Sequence, residues 1–223
     1  AFPLGDIYDL REALSRIRIE GLYMDEGELF SLRKMLDYVG QLERFFGSLD
    51  AIKYPSLSGW SVTSMQASKG AYSFVALIAE IDRLIDRYGK MKDSASPELA
   101  RIRKEIAQSQ GSVSRVLNSI LRQAQAEGLL DKDAAPTMRE GRLVLPIPPA
   151  YKRKIGGIVH DESATGKTVF IEPQQVVEAN NRIRELEGEE RRERMRILLE
   201  MTEHIRPAIP NILVSEHFLA EVD

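Results

Sequence analysis

Apolar residues recur at helical spacing over most of the chain. Leu10, Leu14 and Ile17 follow Asp6, which can cap a helix reaching Gly21. Behind Asp25, a second potential cap, Leu29, Leu32, Leu36, Val39, Leu42 and Phe46 predict a longer helix. Residues 50–61 carry Pro55, Ser56, Ser58 and Gly59, which is loop chemistry, together with the only tryptophan, Trp60, read as a packing residue. Phe74, Ile78, Ile81, Leu84, Ile85 and Tyr88 then predict a third helix, punctuated by Gly89.

Two longer helices follow. Ser96-Pro97-Glu98 reads as a helix start, with Ser at the cap and Pro in the first turn. Apolar positions then fall at Leu99, Ile102, Ile106, Val113, Val116 and Ile120, a heptad seam with Ser109 in the one missing core place. From 97 to 126 such a helix spans about 45 Å at ~1.5 Å per residue. A second helix is predicted from Pro173, with Val176, Val177, Ile183, Leu186, Ile197, Leu198, Met201 and Ile205 as its buried stripe and Pro207 as its stop. Its length comes to about 50 Å by the same rise. Residues 187–196 are almost all Glu and Arg and read as a solvated face with Glu–Arg pairs four apart. Two such helices joined at one end predict an antiparallel arm.

The joining segment changes period. Thr137-Met138-Arg139 and Arg142-Leu143-Val144-Leu145 flank Glu140-Gly141, a tight-turn pair. Pro146, Pro148 and Pro149 predict that this strand lies at an edge. Gly156-Gly157 suggests a bulge or a close backbone approach. A hairpin is predicted with strands over 157–162 and 168–172 and a loop over 163–167.

That loop contains ATGKT, the ending of the phosphate-binding template G-x-x-x-x-G-K-[ST]. The first glycine of the template falls on Asp161, whose charge repels phosphate, and a β-rich run follows where the template needs a helix. His160-Asp161-Glu162 has the residue types of a metal or acid–base site, but His204 and His217 lie far off in sequence and no second cluster completes it.

Composition narrows the picture. The chain is 43% apolar and 29% charged with a net charge of −3, so any basic surface must be local. It has no cysteine, hence no disulfide or thiolate chemistry, which fits a reducing compartment. No apolar run approaches the ~20 residues of a membrane span. Between Pro136 and Pro173 six Lys/Arg stand against four Asp/Glu, leaving this stretch at +2 and the remainder at −5. Its densest basic run is Tyr151-Lys152-Arg153-Lys154, suited to neutralising phosphates or to a plain solvated loop. The chain opens on Ala1 and reads as a piece of a longer protein.

The stretch REGRLVLPIPPAYKRKIGGIVHDESATGKTVFIEPQQVVEANNRIRELEGEE resembles the clamp and adjoining lever of the MutS family, specifically its second bacterial paralogue, which carries an Smr domain. The matching elements are Arg139-x-Gly141-Arg142, Pro146, residues 157–163, residues 168–173, Asn180-Asn181 and Glu189-Glu190. The resemblance implies a mainly α fold: a helical core over 1–96, an outgoing lever helix over 97–135, a small antiparallel β clamp over 136–173, and a returning helix with re-entry to the core over 174–223. It implies a region without a catalytic centre or cofactor, in a parent that is a cytoplasmic homodimer with an ATP- and Mg-dependent ATPase and an Smr nuclease domain. The implied partner is nucleic acid, either branched or duplex DNA or the RNA of a stalled ribosome. Arg139, Arg142, Lys152, Arg153, Lys154 and Lys167 are the expected nucleic-acid contacts of the clamp. The alternatives are a coiled-coil arm whose end docks a protein, and a nucleotide-binding enzyme resting on ATGKT alone.

Overall fold

A computed structural model of the chain describes residues 8–48, 53 and 74–222. Asp6, Trp60 and the loop residues Pro55 to Gly59 lie outside them. The chain is mainly helical with one small antiparallel sheet, and it divides into two compact units, Ala1–Pro97 with Glu193–Asp223, and Glu98–Arg192.

In the first unit, α1 (Arg11–Arg16) stops short of the predicted end at Gly21. Helix α2 (Glu26–Gly47) starts at a full capping box: the Asp25 carboxylate accepts the Glu28 N–H at 2.8 Å, and the Glu28 carboxylate accepts the Asp25 N–H at 2.9 Å. All six apolar positions predicted for it are buried. Helix α3 (Phe74–Leu84) buries Phe74, Leu77, Ile81 and Leu84. It ends before Tyr88, which is exposed, contrary to the predicted stripe. The reason is local: the Asp86 carboxylate accepts the N–H groups of Tyr88 and Lys90, forming an Asx turn that reverses the chain so that Ile85 bridges Met91. Gly89 takes φ +75° in that turn. Residues 193–205 join this unit through the Met24 N–H, which donates to Thr202 at 3.0 Å, and through an ion pair between Arg194 and Glu26.

Helix α4 (Pro97–Ala126) begins with Pro at its first position, as predicted. Its buried stripe is Leu99, Ile102, Val113, Leu117, Leu121 and Ala124. Val116 and Ile120, predicted as seam, are only half-buried, and so is Ile106. A straight helix turns every 3.6 residues, so a 3.5-residue seam drifts around it. Beyond Val113 the helix also packs in a cluster with Leu145, Ile147, Val169, Ile171, Val176 and Ile183, which demands a broader stripe than a coiled-coil partner would.

Helix α6 (Val177–Ile205) starts after a 3-10 turn over Gln174–Val176, four residues later than predicted. Its Glu/Arg run is not simply a solvated face. Residues 187–190 are half-buried, and ion pairs reach across to α4: Arg103–Glu190 at 2.8 Å, Arg182–Glu105 at 2.9 Å and Arg101–Glu189 at 3.6 Å. Arg101 and Arg103 meet Glu189 and Glu190, whereas Glu105, further along α4, meets Arg182, which lies earlier on α6, so the paired stretches run antiparallel. The apolar seam is interrupted there, and paired charges occupy the gap.

The sheet has the order β1-β2-β4-β3, with β1 Thr137–Arg139, β2 Arg142–Ile147, β3 Gly157–Glu162 and β4 Val169–Pro173. Glu140 (φ 49°) and Gly141 (φ 73°) form the turn between β1 and β2, both in the left-handed region that a type I′ turn requires. The edge prediction for β2 fails, because β2 lies between β1 and β4. Pro146 is tolerated because β1 pairs only as far as Val144, leaving Pro146 with β4 alone, opposite Phe170. At the start of β3, just after the helix α5 (Lys152–Ile155), Gly157 (φ +138°) presses against β4: a Cβ there would lie 2.1 Å from the Glu172 carbonyl oxygen.

Two glycines therefore give opposite outcomes on substitution. Gly157→Ala is expected to lower the melting temperature strongly, by several degrees or more, since both backbone strain and a main-chain clash oppose it. Gly111→Ala, in the middle of α4 with open space around it, is expected to stabilise by roughly 0.5–1 kcal/mol. Thermal melts of the two variants check this.

Candidate functional site

Among the described residues, one densely bonded site is built around a fully buried carboxylate. Glu172 lies on β4 with no solvent exposure. Its Oε1 accepts Nη1 of Arg142 at 2.8 Å and Nδ2 of Asn180 at 2.7 Å. Its Oε2 meets Nε2 of His160 at 2.6 Å. Arg142 also donates to Oδ1 of Asn181 at 2.7 Å, and Asn180 to the Leu143 carbonyl at 3.2 Å. Strands β2, β3 and β4 and the start of α6 are thus tied to one buried carboxyl group. A bulge between Val159 and Asp161 makes this possible, because the extra residue, His160, is displaced from the ladder towards Glu172.

Burial pushes the Glu172 carboxyl upward, but the hydrogen bonds from Asn180, His160 and Arg142 outweigh it and hold the group below the ordinary value of 4.5. No group of three or more His, Cys, Asp or Glu among the described residues is arranged to hold a metal ion.

The predicted contact residues do not gather into one patch. Arg142 is consumed by the Glu172 network. Arg139 stacks over the Phe170 ring at 4.0 Å and pairs with Asp161 at 3.2 Å. Lys152, Arg153 and Lys154 stand exposed on α5. Lys154 reaches Glu127 at 2.7 Å, an ion pair that holds the Glu127 carboxyl low, whereas Lys152 and Arg153 have no ion-pair partner among the described residues. Lys167 is exposed in the β3–β4 loop, at the opposite end of β3 from α5. A six-residue strand separates them by about 20 Å at ~3.3 Å per residue.

The ATGKT loop is a hairpin turn. The Ser163 N–H donates to the Thr168 carbonyl, the Gly166 N–H to the Ser163 carbonyl, and the Thr168 N–H to the Ser163 hydroxyl. The loop's own acceptors thus take three of its amides, and a strand follows rather than a helix.

Glu172, Asn180 and Asn181 fall within the motifs of the family resemblance, which gives them no role. A Glu inside the β-rich run Val169–Pro173, followed by paired Asn at the opening of a helix, is the signal that could have marked them as a buried hub.

A scan against protein-family models finds no match. Among curated proteins, Endonuclease MutS2 of Geobacillus sp. (strain WCH70) is 37% identical over 223 residues, covering 99% of this chain and 27% of that protein. Endonuclease MutS2 of Symbiobacterium thermophilum is 33% identical over 223 residues, 100% of this chain and 27% of that protein. Endonuclease MutS2 of Latilactobacillus sakei subsp. sakei is 34% identical over 226 residues, with 99% and 27% covered. The chain spans about a quarter of the length of the curated relatives it matches.

The Glu172 network predicts an acid signature. A carboxyl held low in the folded state stabilises fully above its ordinary value of 4.5 and loses that contribution as pH falls through its folded value. Glu172→Gln removes this term, so the stability gap between native chain and variant is expected to shrink from pH 6 down to pH 3. Arg142→Met, which leaves the buried carboxylate without its guanidinium, is expected to cost about 3–5 kcal/mol at neutral pH. Denaturant unfolding across pH reads both.

Proposed function

Because the chain belongs to the MutS2 family, we propose that it is the region by which a MutS-like ATPase grips nucleic acid, and that it carries no catalytic centre or cofactor of its own. The observation that carries this reading is the pair Lys152 and Arg153. Both are exposed on a helix held on its C-terminal side by the Lys154–Glu127 ion pair and by Gly157 packed against β4. Cations that are unpaired and rigidly presented can neutralise phosphates without first breaking internal ion pairs. Lys167, equally exposed, supports a second and weaker contact.

In the same reading the whole protein supplies ATP and Mg chemistry elsewhere, acts as a homodimer, and works in the cytoplasm. No helix among the described residues is long and apolar enough to cross a membrane. The relatives' name assigns an endonuclease activity to those proteins, and here that activity falls to parts of the parent outside this chain. Long helices suit the transmission of ATPase-driven movement, since a helix moves as a stiff element. The substrate is duplex or branched DNA, or structured RNA of a stalled ribosome. The competing reading, an arm that docks a protein, draws support from Met138 and Ile158, which are 53% and 46% exposed.

Salt dependence separates the two. Lys152→Gln with Arg153→Gln is expected to weaken duplex binding by about tenfold near 0.1 M salt and to flatten the log–log salt slope by about 1.8 units, at ~0.9 per lost phosphate contact. Fluorescence anisotropy titrations over a salt series measure this. Unchanged affinity and slope, with binding instead lost on Met138→Ser and Ile158→Ser, moves the function to protein docking.

A further inference from the structure

The outward face of α4 is a long stretch of helix without acidic residues. From Ile106 through Ala126 there is no Asp or Glu, although 34 acidic residues in 223 would place roughly three in a stretch of that length. Lys104, Gln108, Gly111, Arg115, Asn118 and Arg122 follow one another at spacings of four and three, and all are exposed. They lie on the side of the helix away from Val113 and Leu117, since residues at these offsets fall about half a turn from the buried stripe. Lys104, Arg115 and Arg122 have no ion-pair partner among the described residues. Helix α6 provides the contrast, for its exposed positions mix Glu with Arg, as in Glu178, Arg184, Glu185 and Arg191.

Gly111 adds an independent observation. It sits inside a 30-residue helix, where glycine costs about 1 kcal/mol relative to alanine, and no atom of the described residues lies within 4 Å of where its Cβ would be. No internal packing requires the missing side chain. A glycine on an otherwise open face lets an external backbone come close.

We propose that this face is a track for the sugar–phosphate backbone of a nucleic-acid duplex, continuing the contact made by α5. The proposal rests on the nucleic-acid reading of Lys152 and Arg153 and extends it to residues that neither the motif resemblance nor the β-rich stretch includes. Continuity is given by the Lys154–Glu127 ion pair, which fastens the basic helix α5 to the residue just beyond the end of α4. From Lys104 to Arg122 the track is about 27 Å long at ~1.5 Å per residue. That length covers about eight phosphates of one strand at ~3.4 Å of duplex axis each.

The chemistry selects the partner. Arg and Lys supply charge, while Gln108, Asn118 and Ser119 supply neutral hydrogen-bonding groups for phosphate and sugar. The face has no aromatic residue on which unpaired bases could stack, which argues for duplex over single strand. It also has no large apolar anchor of the kind that carries a protein interface. DNA and RNA duplexes share the backbone chemistry and are separated by experiment.

The test measures binding of the whole chain to a DNA duplex and an RNA duplex of the same sequence, across a salt series. Three charge-matched pairs are compared: Arg115→Gln with Arg122→Gln on α4, Lys152→Gln with Arg153→Gln on α5, and Arg191→Gln with Arg192→Gln on α6. Circular dichroism confirms equal helicity. The α4 pair is expected to weaken binding about tenfold near 0.1 M salt and to lower the slope by about 1.8 units, with the α6 pair close to native. Ser119→Lys, which adds a cation to the same face, is expected to tighten binding and steepen the slope by about 0.9 unit. The larger loss between the DNA and RNA arms identifies the source of the backbone. If the α5 pair weakens binding while the α4 pair matches the α6 control, the track is overturned and the grip by α5 stands. If neither pair weakens binding, or the native chain binds neither duplex at low salt, both readings fall.

Discussion

One buried carboxylate organises the β-rich part of this chain. Glu172 lies in a fully enclosed position, where an ionised group survives only if each oxygen is satisfied. Arg142, His160 and Asn180 satisfy it, and each comes from a different element. The turn at Glu140-Gly141 brings Arg142 into line, the bulge displaces His160, and the start of α6 supplies Asn180. Even Gly157 belongs to this constraint, because β3 must approach the Glu172 main chain closely. A sheet of strands only three to six residues long is too small to hold its register by ladder bonds alone. A buried hub that accepts one arrangement of donors defines that register, in the way polar networks confer specificity at some cost in stability.

The same logic decides which cations remain available. Charges drawn into internal pairing cannot also serve a partner without a penalty. Arg142, Arg139 and Lys154 are occupied to different degrees, by Glu172, by Asp161 with Phe170, and by Glu127. Among the described residues Lys152, Arg153 and Lys167 are left over, and with them Lys104, Arg115 and Arg122 of α4. The basic surface is therefore narrower at the β-rich stretch, and longer along the helix, than a count of Lys and Arg between two prolines implies.

Pairing of α4 with α6 shows a related division. Where α4 underlies the sheet, its stripe is wide and apolar. Between Ile102 and Val113 no apolar residue of α4 is fully buried, and Arg101, Arg103 and Glu105 face Glu189, Glu190 and Arg182 instead. Half-exposed ion pairs of this kind contribute little individually, on the order of 0–1 kcal/mol, and are screened by salt. They set register more than they set stability.

The sequence by itself determined the longer helices, the tight turn, the β3–β4 hairpin and the close approach at Gly157, because each depends on local rules: apolar period, cap chemistry, proline and glycine conformation. The Asp25 cap and the Glu140-Gly141 turn are read from one or two residues, and the protein keeps them in place. It also carried the family resemblance, since an ordered set of motifs survives in one dimension. Tertiary structure alone decided the rest. The seam moved from Val116 and Ile120 to Leu117 and Leu121 because the sheet, together with Ile183 of α6, covers that part of α4. Strand β2 became internal, despite Pro146, because β1 is short. The Glu/Arg run turned partly inward because its partners lie 87 to 168 positions away in the chain. Glu172 acquired its role for the same reason: a carboxyl group's neighbours, and hence its charge state and its use, are fixed by contacts that no local pattern records.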